Sequence, residues 1–258
     1  MKNKNKIFKR IFVVGIVCAI LGCILYLQDG YSMDSMAKNA LNSTSTVIVK
    51  EEPSATLFQP NQKTETGLIF YPGGKVEYQA YAPLMQDLAE KGIYCVLVKM
   101  PLNLAVFDIN AAESYIQTTK DISNWYIGGH SLGGAMAAKY ADQHPHDLKG
   151  LLLLGAYSTQ DLSDTNLSCL AIYGSHDHIM NRNHWHKYRH DLPENTIIKI
   201  IKGGNHSQFG SYGLQKNDGK ATISPVKQQH ETAKEAIKFM YIIVSLKSLT
   251  NYFHYVNL

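Results

Sequence analysis

The chain has 258 residues, 45% of them hydrophobic and 18% charged, and a formal charge of +4. That length suits one α/β domain with an N-terminal appendage, and the composition excludes disordered and fibrous classes. Much of the basic excess lies in Lys2, Lys4, Lys6, Lys9 and Arg10, and no later stripe of Lys or Arg interleaved with aromatics follows. Nucleic acid is therefore not an expected partner.

Residues 1–10 form a basic head, expected on the cytoplasmic side. Ile11–Leu27 then runs without a charge or strongly polar group. This is close to the shortest span that crosses a bilayer, and long for the core of a signal peptide. The basic head predicts a membrane anchor with the rest of the chain outside the cell. A cleaved signal and a secreted product is the alternative, although Gln28–Met33 offers no clear small-x-small cleavage site. Leu21-Gly-Cys23 also hints at lipid attachment on Cys23, but Ile24–Leu27 continues the apolar run past it. Residues 28–45 are polar and read as a linker or a marginal helix, so the folded domain is expected over 46–258.

Within that domain, Thr46–Lys50 and Ala55–Phe58 read as two strands separated by a turn at Glu52-Pro53, and Gly67–Tyr71 as a third, stopped by Pro72-Gly73-Gly74. Tyr81–Lys91 has apolar residues at helical spacing and ends at Gly92, where a C-cap belongs. A strand over Ile93–Met100 and a helix near Asn110–Thr118 follow. Trp125–Gly128 is the next strand, and Ala135–Gln143 the helix after it. Leu148–Leu154 is an apolar run suited to a strand covered on both faces. Cys169–Tyr173 is a further strand, Arg182–Leu192 a helix, Thr196–Ile201 the last strand and Glu231–Ser248 the last helix. Cys95 and Cys169 fall inside strands and read as small core residues, not as a disulfide dictated by spacing. The alternation predicts an α/β fold with a mostly parallel central sheet and helices on both faces.

The organising stretch is Tyr126–Ala135, in which Gly129-His130-Ser131-Leu132-Gly133 fits G-x-S-x-G between a strand and a helix. A sharp turn there exposes the Ser131 hydroxyl. The glycines at 129 and 133 remove Cβ atoms that would collide with neighbouring backbone, and the helix N-terminus behind favours developing negative charge. A lone hydroxyl is a poor nucleophile, so a base and an orienting acid must come from loops after other strands. Ile172–Asp177 is a strand running into a turn that ends in an acid, and Ile200–His206 one that ends in an imidazole. Ser131 as nucleophile, Asp177 as orienting acid and His206 as base then stand in the chain order such a sheet uses. The oxyanion donors are expected from the backbone N–H of Leu132 and from the loop Pro72–Lys75, with Gly74 first and Lys75 next. His130, His176 and Asp164 are rivals for the partner roles. His186 and His190 have a metal-capable spacing beside His184, but no nearby carboxylate or cysteine completes a set, so a solvated helix face is expected and no metal.

With these residues assembled, the chain resembles the α/β-hydrolase superfamily over almost everything from Thr46 onward. It is most similar to a compact bacterial group distantly related to the dienelactone hydrolases. The shared segments are Tyr71–Lys75, Gly128–Gly134, Tyr173–Asp177 and Gly204–Gly210, with a loop like Asn217–Ser224. Dienelactone hydrolases carry a cysteine nucleophile, and the serine here shifts the expectation to general ester hydrolysis through an acyl-serine. The resemblance implies no cofactor and no metal, and a small-molecule ester as the partner. About fourteen residues, Ala156–Cys169, occupy the position where many members insert a lid. That is too short for a lid domain and predicts an open site that takes short or soluble esters. An acyltransferase using the same triad, and a silent binding module with this fold, are the alternatives.

Overall fold

The structure, a computed structural model, describes residues 9–18, 21–22, 26 and 29–256, with side chains as far as Tyr241. Eight strands run in chain order: β1 (Val47–Glu52), β2 (Ala55–Pro60), β3 (Thr66–Tyr71), β4 (Tyr94–Val98), β5 (Asn124–His130), β6 (Gly150–Leu154), β7 (Ser168–Gly174) and β8 (Thr196–Ile201). They form one sheet in the order β1-β2-β4-β3-β5-β6-β7-β8. β1 and β2 make an antiparallel hairpin, and β2 is antiparallel to β4. From β4 through β8 all neighbours are parallel, which requires crossovers that cover the sheet faces.

The strand pleat divides each apolar run between two cores. In β3, Leu68 and Phe70 enter one cluster while Ile69 and Tyr71 enter the other; in β6, Leu152 and Leu154 oppose Leu151 and Leu153 in the same way. The helix Ala82–Ala89 closes the first core with Leu84 and Met85, and the helix Pro225–Val256 adds Ala236, Phe239 and Met240. On the other face, the helix Leu132–Gln143 contributes Ala137, Ala138 and Tyr140, and the helix Arg182–Tyr188 contributes Trp185. Each such large apolar side chain is worth about 1.5–3 kcal/mol of burial. The expected α/β architecture is therefore present, and residues 155–167, between β6 and β7, contain no helix or strand, so no lid domain is inserted there.

Three features differ from the sequence reading in instructive ways. The last helix begins at Pro225, ahead of the expected Glu231, because its first turns bury polar side chains. Gln228 and Thr232 are fully buried, and Gln228 bonds both the N–H and the carbonyl of Asn205 at 3.0 and 2.7 Å. Buried polar residues leave no apolar stripe to detect. β8, expected only as the last strand, is the outer strand of the sheet, with Ile197, Ile198 and Ile200 exposed. Residues 29–45 lie against the body of the protein: Tyr31 forms a parallel bridge with Val76, and Asp34 caps the short helix Ser35–Asn39, whose Ala37 is buried. Cys95 and Cys169 are buried and unbridged, and burial pushes the Cys169 thiol up to about 12. Part of Ile11–Leu27 lies outside the described residues; residues 9–18 are helical, and among the described residues no helix is long and apolar enough to cross a membrane.

Candidate active site

Ser131 follows β5 directly and precedes the helix Leu132–Gln143, with φ 53° and ψ −121°. That backbone conformation is costly for a side chain other than glycine and persists only where the surroundings enforce it. Here the Ser131 N–H donates to the Leu154 carbonyl at 2.9 Å and its own carbonyl accepts from Ala135 N–H at 3.1 Å. A Cβ on Gly129 would strike the Gly133 backbone, and one on Gly133 would run into the Tyr71 and Pro72 carbonyl oxygens. The turn therefore closes only with glycine at both places.

Hydrogen bonds past the strand ends carry the parallel ladder into the loops. Gly155 N–H donates to Ile172 O at 2.8 Å, Ser175 N–H to Ile201 O at 3.0 Å and His176 N–H to Gly204 O at 2.8 Å. This zipper draws the turns after β5, β6, β7 and β8 to one rim of the sheet. There Asp177 Oδ2 meets His206 Nδ1 at 2.9 Å, and both residues are buried. The other carboxylate oxygen accepts the N–H groups of Ile179 and Met180 at 3.0 and 2.8 Å, which fixes the carboxylate in place. A carboxylate on Nδ1 assigns the proton to that nitrogen and leaves Nε2 as a base. Nε2 is buried and has no hydrogen-bond partner, Ser131 Oγ included.

The pair rests on a residue that sequence reasoning did not single out. Gly155 has φ +52°, and a Cβ there would lie 2.8 Å from His206 Nδ1 and 3.1 Å from Asp177 Oδ2. Its only signal in the chain is a glycine ending the apolar run of β6.

His130, adjacent to Ser131, is a second buried imidazole, its ring centroid 4.4 Å from that of His206. Its Nδ1 lies 2.7 Å from the Tyr81 hydroxyl, and that hydroxyl accepts Gly73 N–H at 3.0 Å. His130 thus faces an uncharged hydroxyl and, among the described residues, has no carboxylate partner to stabilise an imidazolium. Burial, and then the neighbouring His206, hold His130 well below the ordinary histidine value and hence neutral. Tyr81 is another residue invisible in the chain, since it reads as one more apolar position of a helix.

Among the expected oxyanion donors, Lys75 N–H is already taken by the Asn103 carbonyl at 2.9 Å. Gly74 N–H carries no hydrogen bond among the described residues, and the Gly74 Cα faces the Leu132 side chain, 3.0 Å from where a Cβ would sit. Leu132 is the first residue of its helix, so its N–H has no intrahelical acceptor. Ser131, Leu132, Gly74 and Lys75 are all partly exposed, whereas Asp177 and His206 are buried. The rivals stand elsewhere: His176 bonds the Lys220 carbonyl at 2.8 Å, Asp164 is exposed, and His184, His186 and His190 lie on an exposed face. No group of three or more His, Cys, Asp or Glu suited to a metal occurs among the described residues.

Comparison with known proteins agrees with this fold. The family model described as the Alpha/beta hydrolase family matches residues 67–230. Among solved structures, Est1E from Butyrivibrio proteoclasticus is similar with a TM-score of 0.56 at 13% identity, covering 78% of this chain and 100% of that one. A CIB-like hydrolase from Thermoplasma acidophilum gives a TM-score of 0.53 at 13% identity, covering 75% of this chain and 98% of that one. Both are likenesses of fold. A Mycobacterium phage D29 protein described as a non-heme haloperoxidase is 28% identical over 110 residues, 39% of this chain and 40% of that protein. A protein of Oryza sativa subsp. japonica described as a 1-acylglycerol-3-phosphate O-acyltransferase is 53% identical over 36 residues, 14% of this chain and 9% of that one. The chain thus spans well under half the length of these curated relatives.

Proposed function

Because the chain belongs to the α/β-hydrolase family, we propose that it is a serine carboxylesterase acting on short or soluble esters through an acyl-serine intermediate. The observation that carries this reading is the buried Asp177–His206 pair at 2.9 Å, with Nε2 unpartnered, on the rim that holds the strained Ser131 turn. Ser131 Oγ attacks the ester carbonyl carbon while His206 Nε2 takes the hydroxyl proton. The hydroxyl–imidazole bond forms as substrate settles, since such bonds are often long in unliganded sites. The tetrahedral oxyanion lies against the N–H groups of Leu132 and Gly74, each donor worth about 2.7–4 kcal/mol of barrier. Collapse breaks the ester C–O bond, and the alcohol leaves with the proton from His206. Water then enters by the same path in reverse, its proton passing to His206 and back to Ser131 as the acid departs. Asp177 holds the imidazole tautomer and stabilises the imidazolium without taking its proton.

The test is a short p-nitrophenyl ester together with a fluorophosphonate probe. The expected result is turnover and a covalent adduct on Ser131, both lost in Ser131→Ala. A folded chain that forms no adduct would leave only the silent binding module. The short likeness to an O-acyltransferase keeps a second reading, in which the acyl group passes to an envelope hydroxyl instead of to water. Added alcohols that capture most of the acyl group in preference to water would favour it. Ile11–Leu27 is proposed as a retained membrane anchor with the catalytic domain outside the cell, secretion after cleavage being the alternative. Digestion by protease added to intact cells, with the chain in the membrane fraction, is the expected result.

A further inference from the structure

We infer that Asp218 is a positioning residue that sets the distance between the base turn and the acid turn of the site. This rests on the triad reading above. Asp218 stands in the loop after β8, within the segment Asn217–Ser224. Its Oδ2 accepts Ser207 N–H at 2.8 Å and the Ser207 hydroxyl at 2.6 Å. Its Oδ1 accepts Gly219 N–H at 2.8 Å and His178 N–H at 3.3 Å. Ser207 follows His206 and His178 follows Asp177, so one carboxylate grips the neighbour of the base and the neighbour of the acid.

The surrounding bonds make that grip directional. Ser207 Oγ donates to Asp218 and accepts Gln215 N–H at 2.8 Å, so its rotor is fixed from both sides. Asn205, on the other flank of His206, donates through Nδ2 to the Gly219 carbonyl at 2.8 Å and accepts Gln208 N–H at 3.0 Å. Ser207 and Asn205 are both buried. His206 is thus clamped before and after by the same short turn, 218–219. A carboxylate is the group this position needs, because all four donors converge on it and it has no hydrogen of its own. A carboxamide turns an NH2 towards one pair of donors and loses either the Ser207 side or the His178–Gly219 side. A misplacement near 1 Å in a reacting group costs about 100-fold in rate while leaving substrate binding largely intact.

The experiment measures kcat, KM and thermal unfolding for the full chain carrying Asp218→Asn, Ser207→Ala or Ser131→Ala, with a short p-nitrophenyl ester. For Asp218→Asn the expected result is a fall of about 100-fold in kcat with KM within about threefold of the parent. Ser207→Ala, which keeps its N–H to Asp218, is expected to lose about tenfold in kcat with the same KM. Ser207→Ala carries the test if Asp218→Asn does not fold. A kcat within about twofold of the parent, or a raised KM at unchanged kcat, overturns the inference. If Ser131→Ala is inactive while Asp218→Asn turns over like the parent, only the positioning role falls. If Ser131→Ala still turns over, the triad reading falls and takes this inference with it.

Discussion

The turn after β8 and the end of β5 each bury an imidazole, and the two rings lie 4.4 Å apart. Their surroundings are opposite. His206 faces the Asp177 carboxylate at 2.9 Å, whereas His130 faces the Tyr81 hydroxyl at 2.7 Å. A carboxylate stabilises the imidazolium that a general base must become; an uncharged hydroxyl supplies no such charge. His130 is also the nearer to Ser131 in the chain. The partner on Nδ1, not closeness to Ser131 in the chain, is what distinguishes the two rings.

The contrast is sharpest in the imidazoles themselves. His206→Ala is expected to lower kcat by about 10⁶-fold and Asp177→Asn by about 10⁴-fold. His130→Asn, whose carboxamide can still bond the Tyr81 hydroxyl, is expected to stay within about tenfold of the parent. Equal losses at 130 and 206, measured on the same ester, would reverse the assignment. Gly155→Ala probes the floor under only one of the two rings. Its Cβ would press on His206 Nδ1 and Asp177 Oδ2 in a backbone conformation that alanine resists. A loss of about 100-fold in kcat is expected, and parental kcat would show that the pair tolerates displacement.

The smallest effect is in stability. Protonation of His130 is favoured only in the unfolded chain, because burial depresses its folded value. Its contribution is therefore fully present above about pH 6.5 and is lost as pH falls from there towards the depressed value. Over that window the parent should lose about 1.4 kcal/mol per pH unit relative to His130→Asn. Denaturant unfolding of both proteins at pH 7, 6 and 5 measures this, and parallel pH dependences would refute a buried neutral His130.

The main elements were legible because their signals are local. A run such as Leu148–Leu154 has too few polar groups for anything but a strand covered on both faces, and Gly129-x-Ser131-x-Gly133 between a strand and a helix allows few turns other than the one observed. The start of the last helix was not legible, since Gln228 is buried by bonds to Asn205, a partner the chain order does not reveal, and Thr232 beside it is a buried polar residue that adds no apolar stripe. Nor was the edge position of β8, because an apolar strand looks the same in the middle of a sheet and at its margin.

The amino-acid order by itself determined the α/β class, the strained serine turn and the short list of acids and imidazoles that could serve it. Each depends on residues adjacent in the chain or on a repeat of a few positions. Only the tertiary structure decided that Gly155 lies under the Asp177–His206 pair, that Tyr81 meets the His130 imidazole in a buried site and that Asp218 ties the two turns together. Those contacts join distant parts of the chain. No local pattern encodes them, because the sheet register and the loops beyond it set the distances.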